Sequence, residues 1–130
     1  MYALEPCNQL IQLHPDKPAA RQWMRAWDEA AIEKGLDPFI GTKVAGELHK
    51  MGFEDVRAKF HPVAAMGDQR ERYDAIVGNL KGFYLGPGAA KLGLDPSAPR
   101  GRRANREFDA RRPGDLVMDA LFVSWGTKGA

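Results

Sequence analysis

The sequence predicts an α/β domain in which helices pack on a small sheet. Three stretches have strand character, residues 2–13, residues 56–61 and the nearly continuous apolar run at 115–125. The longer stretches between them repeat apolar residues every three or four positions, which is typical of amphipathic helices. Strand and helix signals that alternate along one chain indicate an α/β layer architecture.

Size and composition limit the class of protein. A chain of 130 residues predicts one domain, residues 1–130, and 44% hydrophobic residues suffice for a single core. The net charge of +2 is too small to indicate a nucleic-acid partner. The sequence has no apolar run of about 18 residues that would predict a membrane span. One cysteine, Cys7, cannot form an internal disulfide, and no signal-peptide pattern is present, so the predicted location is the cytoplasm.

The first two elements are an interrupted strand and a long helix. Residues 2–13 have extended character with a break near Pro6, because proline donates no ladder hydrogen bond. Asp16 as a cap and Pro18 in the first turn predict a helix that continues to about residue 34. Gly35 predicts its left-handed end. The apolar face of this helix contains Ala20, Trp23, Trp27, Ala30 and Ala31.

A second helix and a strand follow. The helix is predicted to begin near Thr42 and to end at Gly52, a residue suited to a left-handed stop. Its predicted buried stripe is Val44, Leu48 and Met51. Apolar and polar residues then alternate over residues 56–61, which predicts a strand with one solvated face that Pro62 ends.

The rest of the chain predicts a third helix, a loop, a short helix and a closing strand. Asp68, with Glu71 three residues later, has the spacing of a capping box, so the third helix is predicted from Asp68 to residue 84. Glycine and proline mark residues 85–101 as a loop with room for one helical turn. A short helix at 102–112 and the strand at 115–125 complete the prediction. The third helix has a wide apolar face: Tyr73, Ile76, Val77, Leu80, Phe83 and Tyr84.

The reactive side chains do not form a catalytic constellation by spacing alone. His14, His49 and His61 lack metal-ligand spacing and are predicted to be surface residues. Cys7 is a nucleophile only if a histidine approaches it, and is otherwise a small buried thiol. The glycine loop at 86–93 follows a helix and lacks the lysine-serine or lysine-threonine ending, so it does not match a phosphate loop.

Three further features each allow two interpretations. The arginines between residues 100 and 112 indicate either a nucleic-acid contact or a solvated helix face, and interspersed acidic residues favour the second. Trp23 and Trp27, one turn apart, indicate either core packing or the wall of a ligand site. Asp119 lies within an apolar strand, where a carboxylate is either paired with a cation or faces a functional cavity.

Several segments, in order, resemble the C-terminal half of class I S-adenosylmethionine-dependent methyltransferases related to the ubiquinone and menaquinone enzymes. The segment RAWDEAAIEKGLDPFIGTKVAGELHKMGFEDV resembles a helix, linker and helix that lead to the sixth strand of that family. The closing LVMDALFVSWGTKG resembles the family's last strand, and MYALEPC its fifth, with Glu5 where the family often has an acidic residue. The resemblance implies a partial Rossmann-like methyltransferase fold, a small mixed three-stranded sheet of order 6-7-5.

The resemblance does not extend to the cofactor side of the fold. The family binds S-adenosylmethionine with a glycine-rich turn after its first strand and an acidic residue after its second. Neither element has a matching position here, so no cofactor-binding residue is assigned. The resemblance implies methyl transfer from the sulfonium to an oxygen, nitrogen or carbon nucleophile, helped mainly by positioning. The chain is therefore expected to be inactive alone.

The resemblance also implies a substrate region and a partner. Residues 66–112 correspond to the family's lid over the methyl acceptor, a small and predominantly apolar molecule. The implied substrate-binding residues are His14, Trp27, Phe83 and Tyr84. An unpaired edge at residues 2–13 predicts pairing with a second copy or with a complementary methyltransferase chain, or a truncated and marginally stable product.

Two alternative functions remain open from the sequence. A non-catalytic module derived from this fold would bind a small apolar molecule or regulate a true methyltransferase through its edge strand. A small cyclase or isomerase would need an acid–base pair inside a closed cavity, for which Glu5, His14 and Asp119 are the polar candidates.

Overall fold

The C-terminal strand is the centre of the sheet in the computed structural model, which describes residues 2–6 and 11–128, with side chains from residue 11 onwards. Strand β4 (Leu116–Lys128) pairs along one side with β3 (Phe53–Met66). Along its other side it pairs with two short strands, β1 (Tyr2–Pro6) and β2 (Gln12–His14). All three pairings are antiparallel, because β4 runs opposite to each of its neighbours. The α/β class is confirmed, and the sheet is antiparallel where a mixed sheet was predicted.

Four helices form a unit that we call the helical cap: α1 (Pro18–Glu33), α3 (Arg70–Tyr84), α4 (Pro87–Lys91) and α5 (Pro99–Asp109). Their apolar stripes converge on one core, because residues three and four apart share a helix face. The sheet contributes Ala65 and Val117 to this core. The helical residues of the core are Ala20, Trp23, Trp27, Ala31, Tyr73, Ile76, Val77, Leu80, Tyr84, Ala89, Ala104 and Phe108.

The first helix ends where predicted but begins differently. Gly35 has a φ of 81°, and its amide and that of Leu36 donate to the carbonyls of Ile32 and Ala31, as in a Schellman stop. The predicted cap by Asp16 is wrong. The carboxylate of Glu107, on α5, instead accepts the Ala19 amide at 2.6 and 3.1 Å. A remote acid therefore satisfies the first-turn donors, and acidic charge is favourable at a helix N-terminus.

The second helix is shorter than predicted. A 3₁₀ turn (Ile40–Thr42) precedes α2 (Val44–Lys50), and Gly52 has a φ of 86°, which confirms the predicted left-handed stop. Leu48 is buried, but Met51 is 66% exposed. The prediction that Met51 belongs to the buried stripe is wrong, because α2 has only two turns and Met51 lies beyond its last one.

Strand β3 is long and contains a bulge near its start. Glu54 pairs with Thr127 and Arg57 with Trp125, so Asp55 and Val56 both lie opposite Gly126. Asp55 has a φ of 53°, a left-handed conformation that aspartate tolerates better than most residues. A Cβ on Gly126 would lie 3.1 Å from the Val56 side chain, so the glycine makes room for the bulge.

The predicted end of this strand at Pro62 is wrong. Pro62 lies within β3, opposite Ala120. In the part of the chain that the structure describes, β3 pairs with β4 alone, so its second side is an open edge. An edge strand accepts proline where the missing amide would point away from the ladder.

The connection between β3 and β4 is mainly helical. The predicted cap at Asp68 is wrong, because α3 begins at Arg70 and Gln69 is its N-cap residue. The Gln69 side chain accepts the Met66 amide at 2.9 Å and so closes the turn after β3. The predicted loop at 85–101 contains α4, and α5 begins at Pro99, ahead of the predicted residue 102. No helix in the described ranges is long and apolar enough to cross a membrane.

Candidate functional site

A surface cleft of about 540 Å³ lies beside α1. The strip of α1 next to its core-facing stripe forms one wall, and its residues are Arg21, Met24, Arg25, Asp28, Glu29 and Ile32. Ile11, Phe39 and Tyr84 complete the lining. Helix α1 therefore contributes to two surfaces. Residues spaced three and four apart form one strip that faces the cap core, and the neighbouring strip faces the cleft. The lining combines four charged residues with five apolar or aromatic ones, and a mixture of apolar surface with a few polar groups occurs in small-molecule sites.

Three aromatic side chains form a cluster behind this cleft. The ring centroid of Trp27 lies 4.6 Å from that of Phe83 and 5.4 Å from that of Tyr84, with the second pair edge-on. Phe83 and Tyr84 are themselves 5.1 Å apart and edge-on. Such pairs contribute about 0.5–1.5 kcal/mol each beyond burial. We call Trp27, Phe83 and Tyr84 the aromatic cluster. It links α1 rigidly to the end of α3.

The aromatic cluster contains two buried donors without partners. Within the described residues, the Trp27 Nε1–H donates no hydrogen bond and the Tyr84 hydroxyl neither donates nor accepts one, whereas the nearby Trp23 Nε1 donates to the Tyr84 carbonyl at 2.7 Å. Burial, with further contributions from Asp28 and Asp119, raises the pKa of Tyr84 far above its usual value. The Tyr84 hydroxyl therefore stays protonated and acts as a donor, and it is excluded as a general base at neutral pH.

The structure brings together three of the four residues predicted to bind substrate. Trp27, Phe83 and Tyr84 form the aromatic cluster, and Tyr84 also lines the cleft. His14 is exposed at the end of β2, opposite Leu116, and does not line the cleft. Trp27 and Tyr84 are buried and Phe83 is 42% exposed, so Phe83 is the member that reaches solvent.

Sequence reasoning missed the apolar lining of the cleft. Met24 and Ile32 lie eight residues apart and each directly follows a core residue, Trp23 or Ala31, so a search for a second apolar strip would have found them. Ile11 and Phe39 reach the cleft only through the tertiary fold, and no local pattern indicates them.

A second cavity of about 230 Å³ surrounds the buried ammonium of Lys17. Lys17 Nζ donates to the Tyr73 hydroxyl at 3.2 Å and to the Ala110 carbonyl, and it lies 3.8 Å from Asp115 Oδ2. Asp115 in turn accepts the Arg112 amide at 3.0 Å. Two hydrogen bonds and one ion pair therefore hold the ammonium, and it joins the segments that carry Tyr73, Ala110 and Asp115.

The remaining polar candidates stay separate from the cleft. Asp119 is half-buried on β4, its carboxylate accepts the Ala120 amide at 2.7 Å, and burial raises its pKa. His49 and His61 are exposed. No three histidine, cysteine, aspartate or glutamate side chains among the described residues are arranged to hold a metal ion. The predictions for Cys7 and for the Glu5 side chain lie outside the residues described with side chains.

The basic segment and the glycine loop have structural explanations. Arg100, Arg102, Arg103 and Arg106 are exposed on α5, as a solvated helix face requires. Gly86 lies against the Gly82 carbonyl, where a Cβ would be 2.2 Å away, so it permits the tight turn from α3 to α4.

Comparisons with known proteins assign no family. No family model matches the chain, and no curated protein gives a significant match.

Proposed function

We propose that this chain binds a small, predominantly apolar molecule in the cleft beside α1. In this proposal it forms the acceptor-side half of a class I methyltransferase-like fold. The observation that carries the proposal is the cleft itself, whose apolar lining lies against the aromatic cluster. A volume of about 540 Å³ lies in the range of small-molecule sites.

The order of the strands supports the link to methyltransferases. The last strand, β4, lies between the N-terminal strands and β3 and runs opposite to both. The resemblance implies the same order, 6-7-5 with the seventh strand antiparallel. The helices between β3 and β4 correspond to the lid of the family, and α3 brings Phe83 and Tyr84 to Trp27.

The described residues do not fit S-adenosylmethionine. The left-handed glycines Gly35, Gly52 and Gly93 all follow helices, where they end them, and none follows a strand. Gly67 does follow β3, but the backbone carbonyl of Arg112 fills the space beside its Cα, which leaves no room for a phosphate-like or ribose group. The proposal therefore has the cofactor side of the site contributed from outside these 130 residues.

The N-terminal edge of the sheet is the proposed place for that contribution. In the described part of the chain, β1 and β2 pair with β4 alone, so their outer edge has unpaired backbone groups. A strand from a complementary methyltransferase chain, or from a second copy, would satisfy these groups by β-augmentation. Sedimentation that shows a single chain at micromolar concentration, together with high thermal stability, would count against this part of the proposal.

The second candidate function is a non-catalytic binding module. The protonated state of Tyr84 favours it, because this hydroxyl then serves as a hydrogen-bond donor and not as a general base. The cyclase or isomerase alternative has less support, since neither His14 nor Asp119 lines the cleft.

Two titrations test the proposal. In the first, S-adenosylmethionine is added to the purified chain by calorimetry, alone and with the products of neighbouring genes. No heat with the chain alone and binding with a partner would support the methyltransferase role. Binding by the chain alone would overturn the assignment of the cofactor side to another polypeptide. Absence of binding in both cases would favour the non-catalytic module.

The second titration tests the cleft. Tryptophan fluorescence is followed while 2-acetylnaphthalene, a neutral probe, is added to wild type, Ile32→Glu and Ile40→Glu. Ile32 lines the cleft and is 52% exposed, whereas Ile40 is 39% exposed and does not line it. We expect Ile32→Glu alone to weaken binding by tenfold or more, since a carboxylate is costly to bury beside an apolar ligand. Equal affinities for both variants would overturn the assignment of the cleft.

A further inference from the structure

We propose that the ligand of this cleft carries a hydrogen-bond-accepting oxygen, and that the Tyr84 hydroxyl binds it. This inference rests on the proposed function and narrows its substrate class to small neutral ketones, ethers or related oxygen-bearing apolar molecules. The starting observation is an unpaired donor: the Tyr84 hydroxyl has no hydrogen-bond partner although the side chain is 0% exposed.

Unpaired buried polar groups are rare and costly. Leaving one without a partner costs about 1–3 kcal/mol, so most buried side-chain polar atoms in folded proteins are satisfied. Among the residues described with side chains, Trp27 Nε1, Tyr84 OH and Ser124 Oγ are the buried atoms without partners. Two of these three belong to the aromatic cluster, whose Trp27 and Tyr84 rings are 5.4 Å apart. Of these two residues Tyr84 lines the cleft, and its hydroxyl needs an acceptor that a ligand would supply.

The charge state of Tyr84 determines the kind of group it binds. Burial and the nearby carboxylates Asp28 and Asp119 raise its pKa, so the hydroxyl keeps its proton across the physiological range. The Trp27 indole is a donor only. Both groups therefore favour an acceptor. The cleft lining contains two arginines and two acids, so its formal charges cancel, and a neutral oxygen fits this lining.

The ligand would reach this hydroxyl from the cleft, because Tyr84 is one of the lining residues. Tyr84 forms part of the wall although no part of its side chain reaches solvent, so a ligand must displace a neighbouring side chain. Met24 lines the same wall and is half-buried. Its unbranched side chain changes rotamer at little cost, which allows the cleft to open toward the tyrosine when a ligand enters.

The test compares two probes of nearly equal shape. 2-Acetylnaphthalene has a carbonyl oxygen, and 2-isopropenylnaphthalene replaces that oxygen with a methylene group. We expect wild type to prefer the ketone by about fivefold after correction for their partitioning from water, because a net hydrogen bond contributes about 1 kcal/mol. In Tyr84→Phe we expect this preference to fall to about onefold. The affinity for the hydrocarbon should not change, since the ring that packs against the ligand remains.

A stability measurement accompanies the binding measurement. Because the hydroxyl has no partner, Tyr84→Phe should unfold at the same urea concentration as wild type or a higher one, so the variant remains folded for the titration. Tyr73→Phe is the control, since the Tyr73 hydroxyl accepts a hydrogen bond from Lys17, and this variant should be less stable and keep the ketone preference.

The outcomes distinguish failure of the acceptor inference from failure of the proposed ligand binding in the cleft. If neither probe binds wild type, the proposed cleft function fails. If both bind equally well, the cleft function stands and the acceptor inference is overturned. A ketone preference that persists in Tyr84→Phe, or a clear loss of stability in that variant, would also overturn it, because either result assigns the hydroxyl another role.

Discussion

The helical cap and the outer sheet, which we define as residues 53–63 of β3, bury their apolar side chains to very different extents. In the cap, Tyr73, Tyr84 and Phe108 are at most 1% exposed. On β3, Phe60 is 43% and Val63 39% exposed. Both regions are rich in large apolar residues, so composition does not account for the difference. The cap encloses its own core, whereas the outer sheet presents apolar side chains to solvent.

This contrast separates a region that encloses its apolar core from one whose apolar side chains remain exposed. The cap contacts the sheet through Ala65 and Val117, near one end of β3 and β4. Farther along, Phe60 packs mainly on Phe122, with ring centroids 5.3 Å apart. Apolar side chains left on a sheet surface are typical of interaction sites. The cap core is therefore enclosed within this chain, whereas the exposed side chains of the outer sheet leave room for the partner that we propose.

The same substitution placed in each region should give very different losses of stability. Phe108→Ala removes a fully buried ring and should lower the free energy of unfolding by about 3–5 kcal/mol. Phe60→Ala removes a half-exposed ring with one aromatic neighbour and should cost no more than about 1.5 kcal/mol. Urea denaturation measures both. If Phe108→Ala does not fold, Phe108→Leu gives the smaller, measurable form of the cap effect.

Equal losses in the two regions would contradict the comparison. A large cost for Phe60→Ala that grows with protein concentration would instead show that a second copy covers the outer sheet, because association makes stability concentration-dependent.

The junction between cap and sheet should be sensitive to Lys17. Lys17→Met leaves the buried carboxylate of Asp115 without its cation, and such a change should cost about 3 kcal/mol. Lys50→Met is the matched control, because Lys50 pairs with Glu47 at the surface and should cost less than about 0.5 kcal/mol. Thermal unfolding distinguishes the two. Similar melting temperatures for both variants would mean that Lys17 does not hold the junction together.

Two glycine-to-alanine substitutions, one at the junction and one inside α3, should change the stability of the protein in opposite directions. A Cβ on Gly67, just after β3, would lie 1.8 Å from the Arg112 carbonyl oxygen, so Gly67→Ala should cost about 1–3 kcal/mol or more. Gly78, inside α3, has nothing within 4 Å of such a Cβ, so Gly78→Ala should gain up to about 1 kcal/mol from helix propensity. Melting temperatures that move in the same direction would contradict the packing described for Gly67.

Local signals predicted the helix stops and the cap stripe correctly. Gly35 and Gly52 adopt the expected left-handed conformation, since few other residues tolerate it without strain. Trp23 and Trp27 are buried in the cap core, as their one-turn spacing indicated. These features depend only on residues that are close together in the sequence, so local patterns predict them.

The missed features depend on distant residues. Glu107 caps α1 from 88 residues away, and no reading of the α1 sequence alone identifies that acid. Pro62 lies inside a strand because β3 is an edge, a fact of topology rather than of local pattern. In the cleft, Phe39 meets α1 only after the linker folds back. The aromatic members of the site were anticipated from a resemblance, whereas its apolar lining required the tertiary fold.

The smallest expected effect concerns Asp119, a half-buried carboxylate on the central strand. Burial raises its pKa above the ordinary 3.8, and the hydrogen bond from the Ala120 amide offsets this only in part. Above pH 3.8 the folded protein therefore holds this proton more tightly than the unfolded chain. Stability from this group is full below that pH and is lost as pH rises through the folded pKa.

Asp119→Asn keeps an amide oxygen for Ala120 and removes the titration. The variant should match wild type near pH 4 and exceed it by a few tenths of a kcal/mol at pH 7, an effect kept small by solvent exposure of the group. Asp95→Asn should show the opposite dependence of stability on pH. Hydrogen bonds from Ser97 lower the pKa of Asp95, so the stability that this carboxylate contributes is lost as pH falls. Urea unfolding between pH 4 and 8 measures both. If the advantage of Asp119→Asn over wild type shrinks as pH rises, a cation pairs with this carboxylate. The sheet would then have a polar contact at a surface that the comparison describes as uncovered.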